Sequence, residues 1–255
     1  MAALLVSPAL LVGGLAAHAE VVQKGNLRVE VSGRLSPKRL PRTSAAPISV
    51  MVGGGIKTVD GSLPPQLKEL RIELDRHGHM ETQGLPKCHV DQIQPASTRQ
   101  ALRACRPALV GSGSFSVDVV LGTQVPYPSK GRLLVFNGTY RGRPALLGQI
   151  YSAHPFTNSF VIPFRIGRSK RGRYGIALSA RLPRAFTNWG HVTQLTMKLE
   201  RRYAFRGGRR SFISTACPAP NGFGGAVFSL ARTTFRFAGG VELASSLTGE
   251  CRVRG

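Results

Sequence analysis

The chain has 255 residues, 42% of them hydrophobic, and a formal net charge of +23. That length suits one large domain or two small ones, and that apolar content excludes a disordered chain. Twelve acidic residues against 35 basic ones leave little material for paired-carboxylate catalysis and point instead to anionic partners.

Residues 1–19 read as a secretory signal. An apolar run from Ala2 to Ala16 is too short and too interrupted by Ser7, Pro8, Gly13 and Gly14 to span a bilayer comfortably, and Ala17-His18-Ala19 supplies a small-x-small cleavage pattern. The segment carries no Lys or Arg. The expected location is therefore secreted or associated with the cell envelope, once the signal segment is removed.

From there the chain alternates apolar and polar residues with period two, the mark of half-buried strands. Leu27-x-Val29-x-Val31, Ile48-x-Val50-x-Val52, Leu70-x-Ile72-x-Leu74 and Phe115-x-Val117-x-Val119-x-Leu121 show it in the first half. Phe160-x-Ile162-x-Phe164-x-Ile166, Ile176-x-Leu178-x-Ala180-x-Leu182, Leu195-x-Met197-x-Leu199 and Phe235-x-Phe237 show it in the second. Turns containing glycine separate them at 76–79, 140–143, 170–173, 205–208 and 238–240. One stretch predicts a helix: residues 97–105 follow Pro95 and open with a Ser or Thr cap ahead of good helix formers.

The predicted class is all-β, an antiparallel sandwich-like fold of two packed halves with one short helix near 97–105, the alternative being one larger sandwich. The halves are expected at 20–125 and 126–255, joined near the proline-containing stretch 122–130. They echo each other faintly: Leu70-x-Ile-x-Leu-Asp-Arg76 against Leu195-x-Met-x-Leu-Glu-Arg201. Four cysteines allow three pairings. Proximity in the chain favours Cys88 with Cys105 and Cys217 with Cys251.

Charge is distributed unevenly. Residues 20–118 hold 14 basic and 9 acidic side chains, a net of +5, whereas residues 119–255 hold 21 basic and 3 acidic, a net of +18. No carboxylate lies between Asp118 and Glu200. Two basic runs stand out there: Arg165, Arg168, Lys170, Arg171 and Arg173 around one turn, and Arg201, Arg202, Arg206, Arg209 and Arg210 around another, with Tyr203, Phe205 and Phe212 interleaved. Guanidinium groups grip phosphate and carboxylate in a bidentate fork, and aromatics stack on sugars. A solvated charged face is the plain alternative, but like charges gathered without acids between them repel one another.

Other chemistry finds little support. There is no Gly-x-Ser-x-Gly elbow, no phosphate loop and no Cys-x-x-Cys. Glu73 and Asp75 are two residues apart and read as solvated positions on a hairpin strand. His77 and His79 could chelate an ion with His89 and Asp91, as zinc or copper would require. Such residues are expected at a polar turn anyway, so neither a metal nor a cofactor is expected.

Three segments, residues 25–38, 97–105 and 216–223, carry a resemblance. Through Gly25-Asn-Leu-Arg-Val, Ser97-Thr-Arg-Gln-Ala-Leu and Ala216-Cys-Pro-Ala-Pro-Asn-Gly-Phe223, the chain resembles exported β-rich proteins of high-GC Gram-positive bacteria, a group without assigned activity. The resemblance covers most of the mature length. It implies the compartment and carries no site residue across.

The function expected from the sequence is non-enzymatic binding of anionic cell-envelope polymers or surfaces through a basic face. The partner would be an anionic polysaccharide or a teichoic-type polymer, with an anionic membrane surface as a further candidate and no dedicated nucleic-acid partner. The alternatives are a structural or interaction protein with incidental charge, and, less favoured, a hydrolase assembled from distant acids or histidines.

Overall fold

The computed structural model describes residues 19–154 and 157–254, with backbone alone for 185–187. The expected signal segment lies outside these residues except for Ala19. Among the described residues the chain forms eighteen strands. The first seven are β1 (Ala19–Lys24), β2 (Leu27–Ser36), β3 (Arg39–Leu40), β4 (Ala46–Pro47), β5 (Ser49–Thr58), β6 (Leu67–Asp75) and β7 (Gly78–Met80). Two helices follow, α1 (Val90–Ile93) and α2 (Thr98–Cys105). Then come β8 (Leu109–Val119), β9 (Tyr127–Tyr140), β10 (Arg143–Ser152), β11 (Asn158–Arg168) and β12 (Tyr174–Arg181). After α3 (Arg184–Trp189) the chain adds β13 (Gly190–Leu199), β14 (Arg202–Phe205), β15 (Gly208–Ser211), β16 (Ile213–Thr215), β17 (Gly225–Phe237) and β18 (Glu242–Val253). The protein is all-β, as the alternation predicts.

Thirteen strands make one sheet, in the order β1-β2-β5-β13-β8-β9-β10-β11-β12-β6-β17-β18-β3, antiparallel except where β3 meets β18. Strands from the two sides of the 125/126 boundary interleave: β5 pairs with β13, and β6 sits between β12 and β17. The stretch 122–130 holds the turn between the paired strands β8 and β9 and the first residues of β9. The sheet curls until β1 lies against β18, where the Ser246 amide donates to the Glu20 carboxylate at 2.7 Å. Alternate residues of each strand point into the curl. Val29 and Val31 of β2, Leu133 and Val135 of β9, Ile162 and Phe164 of β11, and Phe235 and Phe237 of β17 fill it.

A second core explains why residues 133–138 of β9 are all buried rather than alternating. Leu134 and Phe136 face outwards there, and Ala145 and Leu147 of β10 do the same. The α1–α2 segment covers them with Ile93, Ala101 and Cys105. The helix predicted over 97–105 starts where the sequence said: the Ser97 hydroxyl accepts from the Gln100 amide, and Gln100 reaches back to the Ser97 amide at 2.8 Å. The Cys88–Cys105 disulfide pins this cover, and Cys217–Cys251 ties residues 216–219 to β18. Two disulfides fit an oxidising, extracellular environment. Among the described residues no helix is long and apolar enough to cross a membrane.

Antiparallel pairing places the following connections at one of two ends. One end holds the β9–β10 turn, the β11–β12 turn and the β14–β15 hairpin that leaves β13. The opposite end holds the β1–β2, β5–β6, β8–β9, β10–β11 and β17–β18 connections and α3.

Candidate functional site: the basic end of the sheet

Both basic runs found in the sequence fall at the first of these ends. Arg165 and Arg168 lie in the last four residues of β11, and Lys170, Arg171 and Arg173 lie in its connection to β12. Arg202 lies on β14, Arg209 and Arg210 on β15, Arg206 at the tip between them, and Arg201 just before β14. All are exposed except Arg201, which is half-buried with its Nε unpaired.

A single segment, Asp75 to Cys88, runs across this end and ties the turns together. The Arg76 amide donates to the Arg173 carbonyl at 3.1 Å. Next, β7 pairs with β16, and the Glu81 amide donates to the Phe212 carbonyl. The Tyr203 hydroxyl then donates to the Gln83 carbonyl at 2.8 Å, and the ring of Phe205 lies where a Cβ at Gly84 would be, 2.2 Å from that position. Only glycine admits the ring there. Finally the Asn137 amide side chain donates to the Pro86 carbonyl at 2.9 Å and the Cys88 amide to the Asn137 carbonyl, three residues from the β9–β10 turn.

That third turn adds basic residues which the sequence reading left as a plain turn, Arg141 and Arg143. Its signal was present: Tyr140-Arg-Gly-Arg143 has the same aromatic-Arg-Gly order as Phe205-Arg-Gly207. Both are two-residue hairpin loops with positive φ at each central residue, 51° and 74° for Arg141 and Gly142, 50° and 75° for Arg206 and Gly207. Glycine, asparagine or aspartate ordinarily fills the first of these positions; an L-residue with a long side chain costs roughly 1–2 kcal/mol there. Each arginine lies over the ring that precedes it, Arg141 5.4 Å from the Tyr140 centroid and Arg206 5.2 Å from that of Phe205.

The acid-free run in the sequence is not acid-free in space. On the outer face of the sheet, β6 brings Glu69 and Glu73 beside β12 and β17. Glu73 receives hydrogen bonds from Ser169 at 2.6 Å and Arg71 at 3.2 Å and pairs with Arg171 at 3.5 Å. Burial works against its ionisation, but the hydrogen bonds from Ser169 and Arg71 and the charges of Arg71 and Arg171 outweigh it and hold the carboxyl below its usual range. Arg181 and Arg236 share Glu69, and Arg236 also pairs with Glu242. A groove of about 520 Å³ runs over these residues, with Arg165, Arg168 and Lys170 along it. It continues into a second hollow of about 470 Å³ bounded by Tyr140, Arg141, Arg143, Pro163, Arg165 and Arg181. Among the ten basic residues expected at the site, Arg171 alone forms an ion pair among the described residues.

Glu73 and Asp75 correct the sequence reading. They are 2% and 6% exposed rather than solvated, because β6 is an interior strand and β7 turns away to pair with β16 instead of forming a hairpin with it. Asp75 accepts from the His77 amide at 2.8 Å and contacts His77 Nδ1 at 2.7 Å. The histidines considered for metal have separate partners: His79 of β7 sits opposite Ser214 of β16, and His89 Nδ1 meets the Thr139 hydroxyl at 3.3 Å. Among the described residues no three His, Cys, Asp or Glu side chains gather as metal ligands do. No protein-family profile, curated protein or solved structure matches this chain.

Proposed function

We propose that this is a non-enzymatic binding protein for anionic envelope polymers, which it holds on the basic end of its curled sheet. One observation carries the reading: three connections at one end, 141–142, 169–173 and the 202–211 hairpin, carry exposed arginines and are braced by the single segment 75–88. Self-repulsion of this kind is tolerated where counter-charge comes from a ligand. An anionic polysaccharide or a teichoic-type phosphate polymer suits it, and secretion would bring the protein to such polymers. An anionic membrane surface is the other surface these charges would suit.

The test is binding to purified anionic polymers across a salt series. Each neutralised phosphate should contribute a slope of about 0.7–0.9 log units, so five contacts would lose on the order of a hundredfold in affinity over a fourfold rise in salt. Replacing Arg168, Arg202, Arg209 and Arg210 together with Ser, all exposed, should abolish most of that slope while leaving the fold intact. A variant that binds as well as the parent would refute the reading.

A further inference from the structure

Within that reading, on which this inference rests, we infer that Arg141 and Arg206 are the leading ligand contacts, each gripping one oxyanion group of an extended chain. The two tips share a construction that folding alone does not call for. Each places arginine at a left-handed position where asparagine or glycine would relax the backbone. Backbone strain that persists at two equivalent places points to a role outside folding.

The contact with the ring explains what the role is. A guanidinium carbon 5.2–5.4 Å from a ring centroid is drawn towards that ring by cation–π attraction, and the N–H groups turned away from the ring stay available for two parallel hydrogen bonds to a phosphate or carboxylate. Each ring is itself fixed. Tyr140 packs against the outer core beneath α1 and α2, and Phe205 sits on Gly84. Both arginines are exposed and neither forms an ion pair among the described residues. The guanidinium groups are therefore drawn to a fixed ring before ligand arrives, which reduces the ordering cost of binding.

The spacing selects a chain over a single ion. The 202–211 hairpin leaves β13, and the other tip closes β9, with β8 between them. The strands from which the two hairpins spring are thus about 10 Å apart laterally, more than one phosphate group can bridge. A polymer bearing oxyanions at intervals reaches both.

The experiment measures binding of the mature chain to inorganic polyphosphate, polygalacturonate and orthophosphate, alongside thermal unfolding. Arg141→Asn with Arg206→Asn should lower affinity for the chains by tenfold or more and raise the unfolding temperature, because asparagine suits the turn. Arg141→Lys with Arg206→Lys keeps the charge but loses the two-pronged guanidinium donor, and should lose most of the same affinity. Lys24→Ser with Lys57→Ser removes equal charge at the opposite end and should change binding less than threefold. Orthophosphate should compete poorly with either polymer. The inference is overturned, with the underlying reading intact, if the parent binds a polymer and the asparagine pair binds equally well, or if the Lys24 and Lys57 control weakens binding as much. Orthophosphate binding as tightly as polyphosphate would overturn the chain specificity. A parent that binds neither polymer at low salt overturns the underlying reading as well.

Discussion

The connections at the two ends of the sheet were built from different residues. At the far end, residues 25–26, 59–66, 120–126, 153–154, 182–189 and 238–241 contain one Lys or Arg, Arg184, and one acid, Asp60. At the basic end, residues 141–142, 169–173, 200–201 and 206–207 alone contain Arg141, Lys170, Arg171, Arg173, Arg201 and Arg206 against Glu200. The connections of the far end are mostly uncharged where those of the other end are basic. Val59, Val125 and Trp189 are exposed there, and a cleft of about 210 Å³ is lined by Phe115, Val117, Val119, Tyr127, Ile150 and Trp189. Since strands are constrained by the core and turns are free to vary, charge concentrated in one set of turns marks a surface shaped by something other than folding.

That contrast should survive or fail under graded perturbation. The largest effect on stability is expected from the disulfides, both nearer the basic end. Replacing Cys217 and Cys251 with Ala opens a loop with a sequence separation of 34, against 17 for Cys88 and Cys105. Chain entropy puts the losses at about 4 and about 3 kcal/mol. Denaturant titration of the two double variants checks both the size and the order. If the basic end is the functional one, loss of Cys217–Cys251 should also weaken polymer binding, because it frees the segment that Arg42 holds through the carbonyls of Ala219, Pro220 and Phe223.

A smaller effect should follow from Glu73→Gln. Glu73 fixes the β11–β12 turn through Ser169 and Arg171, and hydrogen bonds to a charged group contribute about 1–3 kcal/mol. Its carboxyl titrates below the ordinary value of 4.5 in the folded protein. The stabilisation is therefore fully present above that value and is lost as pH falls through the lower folded value. Parent and variant should differ at pH 7 and converge in acid. A difference that grew as the pH dropped would contradict the pairing.

The sequence made the class legible because alternation is local: β2, β6, β11 and β13 fall where Val29, Ile72, Ile162 and Met197 recur at spacing two. The cap at Ser97 and the cysteine pairs are short-range as well. What could not be read was order across the sheet. Placing β6 between β12 and β17 brings residues about a hundred or more positions apart together, and no local pattern encodes it. That is why Glu69 and Glu73 were missed as the counter-charge to a run that has no acids of its own, and why both Glu73 and Asp75 looked solvated. Arg141 was missed for another reason. Its left-handed backbone is visible only in the structure, although the shared order Tyr-Arg-Gly and Phe-Arg-Gly was on view.

The smallest effect should come from the far end's one connecting acid. Asp60 accepts hydrogen bonds from the Ser62 amide at 2.9 Å and the Ser62 hydroxyl at 2.7 Å. Its carboxyl lies well below the ordinary range, first because of the Asn26 side chain and then because of Ser62. The group is fully exposed, so its titration should leave only a local trace. Asp60→Asn keeps an acceptor for Ser62 and removes one negative charge. Apart from β1 and β3, the strands of the large sheet run for eight to fourteen residues, about 26–46 Å at 3.3 Å per residue, whereas the Debye length at physiological salt is about 8 Å. A charge lost at Asp60 is screened several times over before it reaches Arg141 or Arg206. Polymer affinity should therefore change less than twofold at 0.15 M salt, and the Ser62 amide signal should lose its acid titration. If affinity instead rose severalfold at that salt, the ligand would be reaching the far end, and binding would belong to the whole surface rather than to one end of it.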